Sequence, residues 1–319
     1  MKLPFVARVL AVAMLTASTL SLPLSAAADT HKPTVALVMK SLANEFFLTM
    51  EDGAKAYQKE HSADFELISN GIKNESDTAA QIDIVNQMIV KKVDALVIAP
   101  ADSKALASVL KKAMDAGIKV VNIDNQLDVD VLKSKNMQVP FVGPNNRKGA
   151  KLVGDYLAKQ LSAGDQVGII EGVPTTTNAQ QRTAGFKDAM DAAQMKIVST
   201  QSGNWEIDKG NAVAAAMLNE YPNLKALLAG NDSMALGAVS AVRAAGKVGK
   251  VQVVGYDNIA AIKPMLKDGR VLATADQYAA KQAVFGIEIA LKALAEKKKQ
   301  SELPAEVKTD VALVTKDSK

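Results

Sequence analysis

Short apolar runs alternate with longer amphipathic segments through most of this chain, and this alternation restricts the possible folds more than any other feature. In the first pair, the apolar run 35–39 precedes a segment in which Phe47, Met50, Ala54 and Tyr57 recur at steps of three and four residues. That spacing places apolar side chains on one face of a helix. Alternating strands and helices form parallel strands with right-handed crossovers and helices on both faces. The sequence therefore predicts an α/β protein with doubly wound parallel sheets.

The alternation occurs twice, on either side of a less regular stretch at residues 126–138. Strands are predicted at 35–39, 65–69, 95–99 and 119–123 before this stretch, and at 139–142, 166–171, 196–200, 224–229 and 251–255 after it. The chain therefore contains two α/β units of similar construction. The runs 271–275 and 307–314 and the predicted helix 277–296 fit either unit, so the pattern alone leaves their placement open.

The first 28 residues have the character of a secretory signal peptide. Lys2 and Arg8 are followed by the uncharged apolar run 9–22 and then by three alanines ending at Ala28. The run is shorter than the roughly 20 residues of a membrane-spanning helix, and small residues of this kind precede signal cleavage. We expect cleavage near Ala28; a retained N-terminal anchor is the alternative, disfavoured because no stop-transfer pattern follows.

Composition excludes several classes of protein. The chain has no cysteine, which excludes a disulfide framework and a lipid-modified N-terminal cysteine. Loss of Lys2 and Arg8 with the signal peptide lowers the formal charge from +4 to +2, which gives no indication of nucleic-acid binding. His31 and His61 are the only histidines, so the chain has few residues that could serve as the base in Ser-His or Cys-His catalysis.

Polar residues follow predicted strands in both units. Asp124 and Asn125 come directly after one strand of the first unit, and Asn231 and Asp257 follow strands of the second. The carboxyl ends of parallel strands open on one edge of a sheet, where ligands of α/β proteins bind. Carboxylates and amides there suit the neighbouring hydroxyl groups of a small polyhydroxylated molecule. Asp232, which directly precedes a helix, is predicted to cap that helix rather than to bind a ligand.

Further candidates complete such a site. Asn44 and Phe46 follow the first strand, and Phe46 lies off the apolar stripe, whereas Phe47 suits the core as well as it suits a ligand. Arg182 is predicted to begin a helix, where a positive charge opposes the helix dipole and is better explained by ligand binding. Trp205, the only tryptophan, lies in a polar loop and is predicted to form a platform for the ligand or part of the core, rather than to be fully buried.

With these residues identified, the sequence closely resembles the periplasmic monosaccharide-binding proteins of the ribose-binding type, the type I solute-binding proteins of ABC importers. The resemblance rests on the motifs ANEFF at 43–47, NIDN at 122–125, QRTAGF at 181–186, NDSMALGA at 231–238 and GYD at 255–257. It implies that Phe46, Phe47 and Trp205 sandwich a sugar ring. It also implies a set of hydrogen-bonding partners for the hydroxyls, namely Asn44, Asp124, Arg182, Asn231, Asp257 and Gln277.

The resemblance has consequences for architecture and partners. It implies an N-terminal lobe of residues 29–142 plus 278–303 and a second lobe of residues 143–277 plus 304–319, joined by a three-segment hinge that includes Gln277. It implies a periplasmic, monomeric, non-enzymatic protein without a cofactor or metal. Its partners would be a monosaccharide, with ribose favoured, an ABC permease in the inner membrane and a chemoreceptor.

Two positions depart from the family pattern. Ribose-specific members usually carry arginine directly after the strand-end aspartate, whereas this chain has Asn125, which we expect to contact the ligand instead. Glu45 occupies a position that is often proline. These departures leave the identity of the sugar open. A sugar alcohol or a furanosyl signalling molecule resembling autoinducer-2 is the closest alternative ligand.

Two other functions remain as alternatives. A secreted glycosidase would need Asp124 and Asp257 to flank the scissile bond. A transcriptional repressor shares this core but needs a helix-turn-helix before the first strand, where this sequence has a signal peptide.

Overall fold

The computed structural model describes residues 31–318, so the predicted signal peptide and its cleavage site lie outside the described residues. The chain divides into two units, Met1–His31 and Lys32–Lys319, and every helix and strand described below belongs to the second. The strands are β1 (Thr34–Ser41), β2 (Glu66–Ile72), β3 (Ala95–Ile98), β4 (Lys119–Ile123), β5 (Phe141–Pro144), β6 (Gln166–Glu171), β7 (Lys196–Ser202), β8 (Leu224–Ala229), β9 (Gln252–Val254), β10 (Ala273–Asp276), β11 (Glu306–Thr309) and β12 (Ala312–Thr315). The α-helices are α1 (Glu45–Glu60), α2 (Thr78–Val90), α3 (Ala107–Asp115), α4 (Val129–Ser134), α5 (Asn146–Ala158), α6 (Thr177–Ala192), α7 (Ile207–Glu220), α8 (Asp232–Ala244), α9 (Lys263–Lys267) and α10 (Ala279–Ala295).

The strands form two six-stranded sheets. The first has the order β11-β5-β4-β3-β1-β2, and the second has the order β12-β10-β9-β8-β6-β7. The pairs are parallel except for β10 with β12, which is antiparallel. The predicted fold class, two doubly wound parallel-sheet lobes, is confirmed.

Burial explains why these segments take up their structure. Residues 35–39 of β1 are completely buried, as expected for a central parallel strand covered by helices on both faces. Helix α1 buries Phe47, Met50 and Ala54, the stripe predicted from the spacing. Asn44 ends the preceding loop and caps this helix, because its side chain accepts a hydrogen bond from the Phe46 N–H.

The C-terminal run divides between the two sheets. Strand β11 pairs with β5, with Glu306 opposite Phe141, whereas the division implied by the family resemblance placed residues from 304 onwards in the second lobe. The run 307–314, whose placement the pattern left open, is interrupted at Asp310 and Val311. Strand β11 therefore extends the first sheet and β12 the second. The chain crosses between the sheets after β5, after β10 and after β11.

One helix boundary differs from the prediction in a way that affects the site. Arg182 was expected to begin a helix, but α6 already begins at Thr177, with Thr176 at its N-cap. Residues 177–181 contain no proline or glycine, so nothing in them prevents helix formation. Arg182 therefore lies in the second turn, and the dipole argument for its use does not apply. The reason for its position is found in its contacts instead.

Candidate functional site

The carboxyl ends of both sheets open on one small cavity. One lining residue, Lys40, lies near the end of β1, and the others follow strands of the first sheet (Asn44, Phe46, Phe47, Glu75, Asp124) and of the second (Asn178, Arg182, Trp205, Asn231, Asp257, Gln277). The cavity volume left between these side chains is about 10 Å³, which is room for little more than one water molecule. The two sets of side chains therefore lie close together, and a larger ligand requires them to move apart.

Three aromatic rings form apolar walls on opposite sides of the cavity. Phe46 and Phe47, at the start of α1, meet edge to face with ring centroids 5.1 Å apart and planes at 82°. Trp205 comes from the loop between β7 and α7 and is only 3% exposed. A Cβ atom at Gly172 would lie 2.0 Å from the indole, so glycine is needed there for the ring to occupy its position. Aromatic faces of this kind pack against the C–H groups of a ring-shaped ligand.

The loop carrying Trp205 has an unusual backbone. Asn204 and Trp205 both have positive φ angles, 52° and 68°. This region is uncommon for residues other than glycine and is a true outlier for bulky ones. Strain of this kind is retained where the surrounding structure supports it and often accompanies a functional site. Here it orients the indole toward the cavity.

A buried ion pair lies on the first-sheet side of the cavity. Lys40 Nζ is 3.3 Å from Glu75 Oε2, and both side chains are almost completely buried. Asn44 donates from Nδ2 to Glu75 Oε1 at 2.8 Å, while its Oδ1 caps α1. Lys40 Nζ also lies 5.5 Å from the Phe47 ring centroid and 5.4 Å from that of Trp205. The ion pair thus positions a cation and a carboxylate beside the aromatic walls.

Arg182 organises the second-sheet side. Its Nε donates to Asn146 Oδ1 at 2.8 Å, and one terminal nitrogen donates to the Gly230 carbonyl at 3.0 Å and to Asp257 Oδ1 at 3.3 Å. The guanidinium carbon lies 3.8 Å from the Tyr256 ring centroid. The flat, multidentate guanidinium is held rigidly by these contacts. Its other terminal nitrogen has no hydrogen bond to the described residues and is available to a ligand.

The turn that presents Asp257 is held by a second buried carboxylate. Asp232 accepts hydrogen bonds from Thr274 Oγ1 at 2.8 Å and from the Ile259 N–H at 3.1 Å. Asp257 itself has a φ of 122°, and Gln277 donates to its Oδ1 at 2.7 Å. Asp232 was expected to cap α8. That prediction is wrong, because the cap is Asn231, which accepts from the Met234 N–H at 2.9 Å.

Burial dominates the electrostatics of the cavity. Two cations, Lys40 and Arg182, face the three carboxylates of Glu75, Asp124 and Asp257. Burial raises the pKa of Asp257 to about 7, although Arg182 opposes the shift. Burial also raises the pKa of Asp124 and of Glu75, with Lys40 opposing both shifts. Asp124 Oδ2 has no hydrogen-bond partner among the described residues, so it lacks the donors that would stabilise its charge.

These raised pKa values predict that closure of the empty cavity depends on pH. Opening would expose Asp257 to water and return its pKa toward 3.8, so the closed form binds the proton more tightly. Closure should therefore become less favourable as pH rises from about 4 to about 7, and change little above that. Small-angle X-ray scattering without ligand should show a radius of gyration that increases over this range and then levels off. Asp257→Asn should flatten the curve; an equally steep curve in that variant would contradict the assignment.

The structure brings the predicted site residues together with one exception. Asn44, Phe46, Phe47, Asp124, Arg182, Trp205, Asn231, Asp257 and Gln277 all line the cavity. Asn125 does not line it. Its Nδ2 donates to the Pro100 carbonyl at 2.9 Å, and its Oδ1 accepts from Ser103 Oγ and from the Asn178 N–H. The expectation that Asn125 contacts the ligand therefore finds no support in the geometry, because its amide is occupied in bridging loops of the two sheets.

Sequence reasoning missed three residues that line the cavity, Lys40, Glu75 and Asn178. A signal for Lys40 was present, since a lysine directly continues the apolar run of β1 and is therefore placed in a buried strand. Glu75 and Asn178 lie in polar segments whose composition resembles any surface loop. Only the tertiary structure shows that they are buried.

No group of three or more histidine or acidic side chains within residues 31–318 is arranged to hold a metal ion. Within the same range, no helix combines the length and apolar character that crossing a bilayer requires.

Comparison with known protein families gives a match over most of the chain. Residues 35–299 match the model of the periplasmic binding protein domain. A relative from Pseudomonas aeruginosa, the D-ribose/D-allose-binding protein, is 75% identical over 310 residues, which cover 97% of each chain.

Two solved structures share the fold. A solute-binding protein of an ABC transporter from Burkholderia multivorans is 78% identical, with a TM-score of 0.88 over 89% of this chain and 100% of its own; its unknown ligand was represented as α-D-erythrofuranose. A periplasmic solute-binding protein of an ABC transporter from Actinobacillus succinogenes, with bound D-allose, is 36% identical, with a TM-score of 0.83 over 90% of this chain and 98% of its own.

Proposed function

This chain belongs to the periplasmic binding protein family, and on that premise we propose that it captures a monosaccharide for an ABC importer. The cavity between the sheets is the binding site, and the loaded protein delivers the sugar to a permease in the inner membrane. The names of its relatives support D-ribose and D-allose as ligands.

One observation carries the proposal: aromatic walls and fixed hydrogen-bonding groups from both sheets line a single cavity. Phe46 and Phe47 come from one sheet and Trp205 from the other, so only the closed arrangement lets them contact the same ring. A ligand that touches both sides stabilises the closed form in proportion to its extra contacts there. Closure also removes water, so a sugar with one inverted hydroxyl leaves buried groups unpaired at about 1–3 kcal/mol each.

Calorimetry and thermal unfolding with a panel of ligands test the proposal. The panel contains D-ribose, D-allose, D-glucose, myo-inositol and a furanosyl autoinducer. A ligand at 100 times its dissociation constant raises the free energy of unfolding by about 2.7 kcal/mol. We expect D-ribose or D-allose to give the largest shift. A panel in which no monosaccharide stabilises the protein would contradict the proposal, and a larger shift with the polyol or autoinducer would favour those classes instead.

The Lys40–Glu75 pair supports a hexose in addition to a pentose. Both side chains are buried, and Glu75 Oε2 has no hydrogen bond to described residues beyond its contact with Lys40. An unsatisfied acceptor beside a fixed cation suits one more hydroxyl group, and a hexopyranose such as D-allose carries an exocyclic hydroxyl that ribopyranose lacks. The proposed role of the pair is to bind that hydroxyl.

The double variant Lys40→Met/Glu75→Gln tests this role, because it removes both charges and keeps similar volumes. Loss of the contacts to one hydroxyl should weaken D-allose binding roughly tenfold more than D-ribose binding. Calorimetric titrations with the two sugars measure that ratio. Lys55→Met/Glu51→Gln, an ion pair on the face of α1, is the matched control and should leave the ratio unchanged. If the ratio of the D-allose and D-ribose dissociation constants is unchanged in Lys40→Met/Glu75→Gln, the pair does not discriminate between the two sugars.

The remaining parts of the proposal concern export, partners and chemistry. The signal peptide is cleaved near Ala28, the mature protein is a periplasmic monomer, and a chemoreceptor also recognises its closed form. Mass spectrometry of the exported protein tests the cleavage, and light scattering tests the monomer. The sugar is released unchanged, so prolonged incubation with nitrophenyl glycosides should liberate no nitrophenol; release that disappears in Asp124→Asn would support a glycosidase.

A further inference from the structure

Outside the cavity, two carboxylates join the two halves of the molecule. Glu45, in the first turn of α1, accepts hydrogen bonds from the N–H groups of Ala260 (2.7 Å) and Ala261 (3.1 Å). Glu206, from the loop before α7, accepts from the Glu75 N–H at 3.2 Å. Each bond links a loop or helix of one sheet to backbone belonging to the other. The contacts of the two carboxylates run in opposite senses, because Glu45 comes from the side of the first sheet and Glu206 from the side of the second.

The Glu45 contact has the geometry of a helix cap supplied from across the cleft. Ala260 and Ala261 begin the short 3₁₀ turn that precedes α9, and the residue before them, Ile259, is extended. Amide groups at the start of a helical turn have no partner within the turn. A carboxylate that takes two successive amides forms charge-assisted hydrogen bonds, which are stronger than neutral ones. Neither Glu45 nor Glu206 takes part in an ion pair among residues 31–318, and their carboxylates bond to these amides instead.

Both carboxylates adjoin the cavity in sequence without lining it. Glu45 lies between Asn44 and Phe46, and Glu206 directly follows Trp205. Their contacts therefore fasten the halves next to the aromatic walls. Separation of the sheets would break these hydrogen bonds along with the ligand contacts.

We propose that Glu45 and Glu206 are affinity-determining residues that never touch the sugar: each carboxylate bonds across the cleft in the closed form only. The inference rests on the proposed function, because it assumes that the sugar drives closure. A group that interacts with the closed form alone shifts the closing equilibrium, and the apparent sugar affinity shifts by the same factor. Both side chains are half-buried, so each contact should contribute roughly a three- to tenfold factor.

The closing experiment measures sugar binding and release in Glu45→Gln, Glu45→Asp and Glu206→Gln. Titration with D-ribose and D-allose should give dissociation constants three to ten times the wild-type value for each variant, with most of the change in the dissociation rate. Glu45→Asp keeps the negative charge at the start of α1 but withdraws it from Ala260, so it should behave like Glu45→Gln. If Glu45→Asp binds sugar with wild-type affinity while Glu45→Gln binds more weakly, Glu45 acts only through its charge at the start of α1. That result would overturn the proposal. Glu60→Gln, at the exposed end of α1, is the matched control.

A double-mutant cycle tests the partner directly. Ala260→Pro deletes the N–H that Glu45 Oε1 accepts, and proline is tolerated at the first position of a helical turn. The extended conformation of Ile259 is also compatible with a following proline. Glu45→Gln should therefore weaken binding less in the Ala260→Pro background than in the wild type. Full additivity would show that the two positions act independently and would overturn the assignment.

Amide exchange separates this inference from the proposed function. If wild-type protein binds the sugars and the variants bind equally well, the cross-cleft bonds are without effect while the function stands. If wild-type protein binds neither sugar, the proposed function is contradicted. Hydrogen–deuterium exchange at the amides of Ala260 and Ala261 then tests the cross-cleft hydrogen bonds independently of sugar binding. Faster exchange in Glu45→Gln than in wild type supports the bond, and equal exchange overturns it.

Discussion

Arg182→Ala should abolish measurable sugar binding, with at least a hundredfold increase in the dissociation constant. The guanidinium is 3% exposed, touches Asp257 and stacks on Tyr256. We expect the loss of its donors and of its buried positive charge to cost about 3–5 kcal/mol of binding free energy, within the range found when a buried charged partner is truncated in a binding site. Since 1.4 kcal/mol corresponds to a factor of ten, the affinity would fall beyond the range of ordinary calorimetry.

The fold should survive this substitution, because the pKa of Asp257 is about 7 and its carboxyl can take up a proton when the cation is absent. Circular dichroism should therefore still show a cooperative melt. Arg147→Ala is the matched control, since Arg147 lies on the exposed face of α5 and pairs with Asp188. Near-normal sugar affinity in Arg182→Ala would show that the sugar does not bind in this part of the cavity.

Trp205→Ala should reduce both sugar affinity and stability. The indole is one of the three rings that line the cavity, and loss of a central aromatic contact commonly costs 2 kcal/mol or more, about thirtyfold in affinity. Truncating a buried aromatic side chain also leaves a void and lowers the free energy of unfolding by about 3–5 kcal/mol. Alanine keeps the Cβ atom that disfavours a positive φ, so the strain of this backbone should remain.

Separating the two effects of Trp205→Ala requires a variant that loses stability alone. Phe65→Ala serves this purpose, since Phe65 is completely buried and packs against Tyr57, away from the cavity lining. Both variants should unfold at lower denaturant concentration, but only Trp205→Ala should weaken D-ribose and D-allose binding. Equal affinities in the two variants would show that the indole is a core residue rather than a wall for the sugar.

The fold class was accessible from local pattern, because each buried strand and each helix stripe carries its own periodicity. The stripe of Phe47, Met50 and Ala54 illustrates this, since the three residues are buried as their spacing indicated. The pattern could not assign the C-terminal run 307–314 to one of the two sheets. A stretch of apolar residues fits either sheet equally, and only the pairing of Glu306 with Phe141 shows that its first half belongs with β5.

The site could be predicted in part from the order of strands and helices. Asp124 directly follows β4 and Asp257 comes three residues after the end of β9, so the topology alone brings them to the carboxyl edges. Asn125 occupies an equivalent position in sequence, yet its amide turns to Pro100 and Asn178. Side-chain direction depends on which hydrogen-bonding partners lie nearby, and those partners come from distant segments.

The sequence by itself determined the two α/β units and the strand-end positions of the polar residues, since short-range periodicity and topology suffice for both. Tertiary structure alone decided that Lys40 and Glu75 are buried together, that Asp232 supports the turn of Asp257, and that Glu45 reaches Ala260. The physical reason is that burial and hydrogen-bond pairing depend on contacts between residues far apart in the chain. A lysine or glutamate has the same local propensities whether it faces water or a partner across the cleft.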